Sequence, residues 1–285
     1  MPPIVIATTD DHLVLDRSDA LFRDALVRLG ADVHVASWRG AGMWTAVGAG
    51  DALVVRSVWD YPEHPAAFAD WLERLSRLDK PVLNPPALMR WNADKTYLLD
   101  LGRRGVPTPR TAAVRSADEL AAAFDAIQGD TGVIKPCVGG SGRDVEKVDL
   151  AGAQAYLNRN AADGRRFLLQ EMLPEIAAGE LSFVFIGGRH THTVRSRPAS
   201  GDFRVNSQYG PSDIALFHAP ADLVAQAASV VSLLPSPPTY ARIDGVVRDG
   251  RFVCLEAEVI DPTLFLHLHP PAAERLAEAV LAEVA

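Results

Sequence analysis

VIKPCVGGSGRDVEKV, Val133 to Val148, runs an apolar strand-like segment into a lysine, then glycines around a serine, then a second strand-like segment. Glycine lets backbone N–H groups approach an anion closely, and lysine adds a point charge, so the pattern suits phosphate. The usual phosphate loops do not match it. A Walker loop needs Gly-Lys-Ser/Thr, and Gly142 is followed by Arg143 and Asp144. A dinucleotide fingerprint needs a third glycine, which Gly140-Ser141-Gly142 lacks. A plain β-hairpin with a glycine turn competes with the phosphate reading. The rest of the chain has to decide.

Upstream, strands alternate with helices. Ile4 to Ala7, Val33 to Ala36 and Ala52 to Val55 read as buried strands. Ser18 can cap a helix with the stripe Leu21, Phe22, Ala25, Leu26 and Leu29, stopped by Gly30; a further helix spans Phe68 to Leu75. This alternation predicts a parallel sheet covered on both faces, with ligands beyond the carboxyl ends of its strands. That rim would hold Thr8-Thr9-Asp10 and Arg56-Ser57-Val58-Trp59-Asp60-Tyr61. Trp59 and Tyr61 suit a substrate rim as well as they suit the core.

Downstream of residue 110 the texture changes. Ser116-Ala117-Asp118-Glu119 reads as a capping box, and strand, loop, strand, helix and strand then follow closely, as in a small α+β lobe. Gly187-Gly188 and Arg248-Asp249-Gly250-Arg251 each separate two strand-like runs, which predicts antiparallel hairpins. An amphipathic helix, Ala272 to Val284, closes the chain.

The 285 residues are 48% hydrophobic and 22% charged, the balance of a globular protein. A formal charge of −8 argues against a nucleic-acid partner. Two cysteines far apart in sequence, Cys137 and Cys254, argue against a disulfide framework and make a reducing cytoplasm the expected compartment. The start, MPPIVIATTDDH, lacks the pattern of a signal peptide, and no apolar run is long enough to span a bilayer. The pairs His190/His192 and His267/His269 lack the third ligand a zinc site needs and read as strand-surface histidines. Cys137 has no base beside it and reads as a packing residue.

Chemistry concentrates in Ala241-Arg242-Ile243-Asp244 and Leu255-Glu256-Ala257-Glu258. Alternation along a strand points Glu256 and Glu258 the same way, and Asp244 opposite them would make three carboxylates converge. Acids on an exposed sheet would be unremarkable, but the apolar Phe252, Val253, Leu255 and Val259 around them argue for burial. Converging buried acids need a cation, and hard oxygen ligands suit Mg²⁺ completed by substrate phosphates.

The ordered set Lys95, Lys135 before the glycine loop, Gln170-Glu171-Met172-Leu173, Glu180, Asp244, Glu256 and Glu258 resembles the ATP-grasp superfamily. The resemblance covers nearly the whole chain. Asn92-Ala93-Asp94-Lys95 with Gly105-Val106-Pro107-Thr108-Pro109 is similar to that family's approach to its nucleotide lobe. It implies an α/β fold with an N-terminal substrate-side parallel domain, residues 1–91, and an ATP-grasp domain, residues 92–285. Within the latter it implies a lid lobe at about 111–172 and a C-terminal antiparallel lobe.

The resemblance further implies that Lys95 and Lys135 contact ATP, with Gly139, Gly140, Ser141 and Gly142 as a mobile cover over its phosphates. Gln170 to Leu173 would meet the adenine, Glu180 the ribose, and Asp244, Glu256 and Glu258 two Mg²⁺ ions. Many members have asparagine where Glu258 stands. Arg204 and Asn206 match a segment whose arginine reaches the transferred phosphate. Arg204 and Lys135 would be catalytic.

Arg56-Ser57-Val58-Trp59-Asp60-Tyr61, Asn84-Pro85-Pro86, Arg90-Trp91-Asn92 and Ile260 to Phe265 are similar to the branch of D-cycloserine ligases and glutathione-synthetase-like enzymes. That branch implies an ADP-forming C–N ligase acting on a small amino-acid-like substrate, in an antibiotic pathway, with no nucleic-acid or membrane partner. The substrate could be one that cyclises, such as O-ureido-D-serine. Arg56 would then take a carboxylate and Asp60 an ammonium, with Trp59 and Tyr61 beside them; the competing expectation is an Arg56–Asp60 pair bracing the loop. An intermolecular ligase, a small-molecule kinase, a regulatory ATP-binding protein and a homo-oligomer remain open at this stage.

Overall fold

The computed structural model describes residues 1–160, 164–205 and 213–284, and its strands form three sheets. The first holds β1 (Pro3–Thr8), β2 (Asp32–Ser37), β3 (Ala52–Ser57) and β4 (Val82–Leu83), connected through α1 (Arg17–Arg28), α2 (Met43–Ala49) and α3 (Pro65–Leu75). Strand order is β2-β1-β3-β4, all parallel, as the β–α alternation predicts. Ile4 and Ile6 pack with α1 and the C-terminal helix, whereas Val5 and Ala7 pack with Trp38, Phe68 and Trp71 on the opposite side. Period-2 alternation within an unbroken apolar run thus buries both faces.

Asp16, not Ser18, caps α1: its side chain accepts from the Asp19 N–H at 2.7 Å. Ser18 instead accepts from the backbone N–H of Leu266 at 2.7 Å. A distant donor took the hydroxyl, and the neighbouring carboxylate took the cap.

Helices α4 (Pro86–Asn92) and α5 (Tyr97–Arg103) lead into the second sheet. It contains β5 (Thr111–Val114), β6 (Gly132–Pro136), β7 (Glu146–Val148) and β8 (Phe167–Glu171), with α6 (Leu120–Ile127) and α7 (Leu150–Asn160). Its order is β5-β8-β6-β7, antiparallel throughout. The capping box is half formed. Ser116 makes no side-chain cap, while Glu119 accepts from the Arg115 N–H at 2.7 Å, and a single 3-10 turn precedes α6. Val133 pairs with Lys147 and Ile134 with Glu146, so the glycine stretch is an antiparallel pair carrying a long loop, residues 137–145.

The third sheet comprises β9 (Glu180–Ile186), β10 (Arg189–Arg197), β11 (Asp213–Phe217), β12 (Tyr240–Arg248) and β13 (Arg251–Glu258) in the order β11-β10-β9-β12-β13. Helix α8 (Ala221–Ser232) precedes β12, and α9 (Pro271–Ala282) ends the fold. Both expected hairpin turns are present. Gly187 and Gly188 have φ of 56° and 72°, and Asp249 and Gly250 have 52° and 74°, the positive values a type I′ turn requires.

One face of this sheet, with Phe183, Phe185, Ile243 and Cys254, packs on Leu98 and Leu101 of α5 and Leu223 and Val230 of α8. The first and third sheets share a core, because α9 packs on α1 and Tyr240 joins the same cluster. Buried Asn84 joins them by hydrogen bonds: its Nδ2 donates to the carbonyls of Tyr240 and Val259, both at 2.8 Å. Among the described residues, no helix is long and apolar enough to cross a membrane.

Candidate active site

The other face of the third sheet looks across to the second sheet, and a cavity of about 540 Å³ lies between them. A β-bulge sets the chemistry of that face. Phe252 and Cys254 point into the core, so strict alternation would send Glu256 there too. However, Asp244 pairs with Glu256 and the next residue, Gly245, pairs with Cys254, leaving Leu255 as an extra residue. The shift returns Ala257 and Val259 to the core and turns Glu256 and Glu258 into the cavity. Gly245 permits it, since a Cβ there would lie 2.2 Å from the Val253 carbonyl oxygen and 2.6 Å from the Phe252 ring.

Ala257, between the two glutamates, is clamped. Its carbonyl accepts from Asn92 Nδ2 at 2.6 Å and from the Tyr97 hydroxyl at 2.9 Å. Asn92 also accepts from the Val259 N–H at 3.0 Å.

From the third sheet, Glu180, Asp244, Glu256 and Glu258 face the cavity. They do not form a bare cluster, and among the described residues no three such groups stand ready to hold a metal ion. Arg242 lies between two of them, donating to Asp244 at 2.9 Å and to Glu258 at 2.7 Å. Lys95 pairs with Glu256. The expected set Asp244, Glu256 and Glu258 is therefore interleaved with cations, with Glu180 beside it. Burial pushes the Glu258 carboxyl up to about 8, with Glu256 and Asp244 adding to it against Arg242. Burial and then Asp244 push Glu180 well above the usual range. Against burial, Lys95 and Lys135 hold Glu256 below its ordinary value. Burial draws Lys135 down to about 8, and Lys95 adds to the effect while Glu256 opposes it. The site is short of positive charge on its acids and short of an anion beside Lys135.

The remaining predicted residues fall into three groups. Gly139, Gly140, Ser141 and Gly142 border the cavity, as do Gln170, Glu171, Met172, Leu173 and Arg204. The carboxylate of Glu171 is engaged by Arg110 at 2.9 Å and Arg248 at 2.8 Å, and buried Gln170 donates to Thr111 at 2.9 Å. The cavity end beside them is apolar, with Val133, Met172, Leu173, Ile176 and Leu255. Arg204 makes a two-pronged pair with Asp202 at 3.0 and 2.8 Å. Asn206 lies outside the described residues.

The rim of the parallel sheet divides. Trp59 borders the cavity and donates from Nε1 to the Asp261 carbonyl at 3.0 Å. Tyr61 is buried, with ring centroids 4.6 Å from Phe68. Asp60 accepts from Trp38 at 2.7 Å and Arg39 at 3.3 Å and borders neither cavity described here. Arg56 is only 2% exposed: it pairs with Asp19 at 2.9 Å, donates to the Pro262 carbonyl at 2.8 Å and lies 4.8 Å from the Tyr240 ring centroid. Neither a substrate clamp nor an Arg56–Asp60 brace exists here. The end of a central strand, covered on both faces, places its arginine in the packing between the first and third sheets.

His192 is likewise buried rather than on the strand surface. It packs against His269 with centroids 5.0 Å apart, and burial draws it down to about 4. Cys137 is buried with its thiol pushed up to about 12, an unreactive state.

A smaller cavity of about 210 Å³ adjoins the first, sharing Trp59, Lys95, Arg242, Glu256 and Glu258 and adding Tyr61, Asn92 and Asp261. Sequence patterning assigns no role to Arg242 or Asp261. The signal for Arg242 was Arg-x-Asp facing Glu-x-Glu, four charges on one face of a strand pair.

The family described as "D-cycloserine synthetase DcsG, N-terminal domain" matches residues 4–84. The cycloserine biosynthesis protein DcsG of Streptomyces lavendulae is 29% identical over 300 residues, covering 97% of each chain. The crystal structure of D-cycloserine synthetase DcsG superposes with a TM-score of 0.88 at 25% identity, covering 99% of this chain and 100% of that one. A D-alanine–D-alanine ligase from Bacillus anthracis complexed with ATP shares the fold, with a TM-score of 0.72 at 15% identity over 100% of this chain and 97% of that one.

Proposed function

We propose, from the premise that the chain is an ATP-grasp ligase, that it activates the carboxylate of a small amino-acid-like substrate as an acyl phosphate. An amine-type nitrogen of the same substrate then closes a ring on that carbonyl. The observation that carries this reading is one strand face, Arg242, Asp244, Glu256 and Glu258, shared by two adjoining cavities of unequal size. The larger has an apolar end for an adenine ring and a charged end for phosphates. The smaller has room for a compact amino acid and meets the phosphate end at Lys95 and the glycine loop.

Asp244, Glu256 and Glu258 are hard oxygen donors whose charge the resident cations only partly offset, so they fit Mg²⁺ arriving with a nucleotide. Held by these three residues, such ions would offset the negative charge on the transferred group. Lys135 would pair with the same phosphates, which restores its charge, and Arg204 would reach the transferred group. The loop at Gly139–Gly142 would cover them and exclude water from the acyl phosphate. Gln170 to Leu173 would flank the adenine and Glu180 the ribose. Residues 1–91 would supply the substrate side and 92–285 the nucleotide side, with the lid at about 111–172. Two free, buried cysteines suit a cytoplasmic setting.

The test is O-ureido-D-serine with ATP and Mg²⁺ and no added amine. Cyclised product with ADP and free phosphate is expected. Turnover only after a second amine is added would replace the cyclase reading with an intermolecular ligase.

A further inference from the structure

The small cavity is bordered by a carboxyl group with a buried oxygen that no described residue holds. Trp59 donates to the Asp261 backbone carbonyl at 3.0 Å and Arg56 to the Pro262 carbonyl at 2.8 Å, so donors from β3 and the loop after it fix this backbone. Asp261 Oδ2 is buried and accepts no hydrogen bond from any described residue. Buried oxygens are rarely left this way, because an unmade hydrogen bond costs the full desolvation of the group. Its neighbours in that cavity differ, since Glu256 is paired with Lys95 and Glu258 with Arg242.

We propose that Asp261 is a catalytic residue of ring closure: its carboxylate accepts an N–H of the attacking nitrogen and takes that proton as the C–N bond forms. In that step the nitrogen lone pair forms the bond to the acyl carbon, and the C–O bond to phosphate breaks. Phosphate leaves with the electron pair, and the proton lost by nitrogen resides on Asp261. This inference rests on the acyl-phosphate reading of the site. Arg56, Arg242 and Lys95 face the carboxyl with positive charge and Asp19 with negative, yet burial outweighs them and brings it to about 7. A base near neutrality works best at neutral pH. An electrostatic brace or a water bridge toward Arg56, whose Nη1 is also unpartnered, is the structural alternative.

Hydroxylamine separates the two half-reactions, because it traps acyl phosphates as hydroxamates and is already a neutral nucleophile at pH 7. With O-ureido-D-serine, ATP and MgCl₂, Asp261→Asn should form hydroxamate within about twofold of wild type while cyclised product falls by about 10²-fold or more. Formate added to Asp261→Ala should restore part of the cyclisation and leave hydroxamate formation unchanged. Equal loss of hydroxamate and product in Asp261→Asn would overturn the proposal in favour of a structural role. Unchanged product would overturn it in favour of the water bridge. Absence of hydroxamate from the wild-type enzyme would overturn the acyl-phosphate reading, and this inference with it.

Discussion

Two arginine–carboxylate networks, built from the same groups, flank the segment after β13: Arg56 donates to the Pro262 carbonyl at 2.8 Å and Arg242 to the Thr263 carbonyl at 3.0 Å. Arg56 and Asp19 are each 2% exposed, and Ser57 and the Pro262 carbonyl complete a closed set around them. Arg242 is 14% exposed and Glu258 27%, and both border two cavities. Ion pairing alone does not mark an active site. The sealed network has most of its hydrogen bonds made and nowhere for a ligand to enter. The open one sets two acids against one arginine and is partly solvated. Function follows from access and incomplete neutralisation.

The largest expected effect lies in the open network. Glu256→Gln should reduce ADP formation by at least about 10²-fold in protein that remains folded, since one charge is lost from an accessible cavity wall. Near-wild-type turnover at saturating Mg²⁺ would remove Glu256 from the metal set. The sealed network should respond in the opposite sense. Arg56→Met strands Asp19 as an unpaired buried charge, and breaking such a pair costs about 3–5 kcal/mol. Urea unfolding should show that loss, with KM for the amino-acid substrate little changed in protein that remains folded. A raised KM at unchanged stability would return Arg56 to the substrate rim.

A third expectation connects the networks to backbone geometry. Gly245→Ala forces a methyl group against the Val253 carbonyl and the Phe252 ring, and such overpacking costs about 1–3 kcal/mol. Because the bulge also directs Glu256 into the cavity, activity should fall more than stability predicts. A variant that loses stability but keeps its specific activity would show that the bulge does not aim the acid.

What could be read from sequence follows the range of the forces involved. The strands at Ile4, Val33 and Ala52, the helix ending at Leu75 and both two-residue turns were legible because local periodicity and positive-φ residues determine them. The α1 cap was not, because Asp16 and Ser18 compete within three residues and the Leu266 N–H settles the choice from across the fold. The burial of Arg56 depends on Asp19 and Pro262, and that of His192 on Leu264 and His269, all remote in sequence. At the cavity, the acids were legible as residues but not as aimed side chains. The bulge at Leu255 shows in sequence only as a change of apolar parity, from Phe252 and Cys254 to Ala257 and Val259.

The smallest effect concerns the loop that covers the shared wall of the two cavities. Arg143 pairs with Glu63 of the first sheet's domain at an exposed position, and a Cβ on Gly140 would lie 3.4 Å from Pro62. Ser141 and Gly142, with φ of 56° and 68°, hold a bend that leaves few side chains to anchor the segment. Exposed pairs hold weakly, so Glu63→Gln should raise protease cleavage between Val138 and Arg143 by only about two- to threefold. ATP with Mg²⁺ should suppress cleavage far more strongly, and in wild type and variant alike, because phosphates would supply partners for the loop's backbone N–H groups. Cleavage indifferent to nucleotide would identify the segment as an ordinary hairpin loop. Suppression by ATP that disappears in Glu63→Gln would mean that the contact with the first domain, rather than the phosphates, closes the cover.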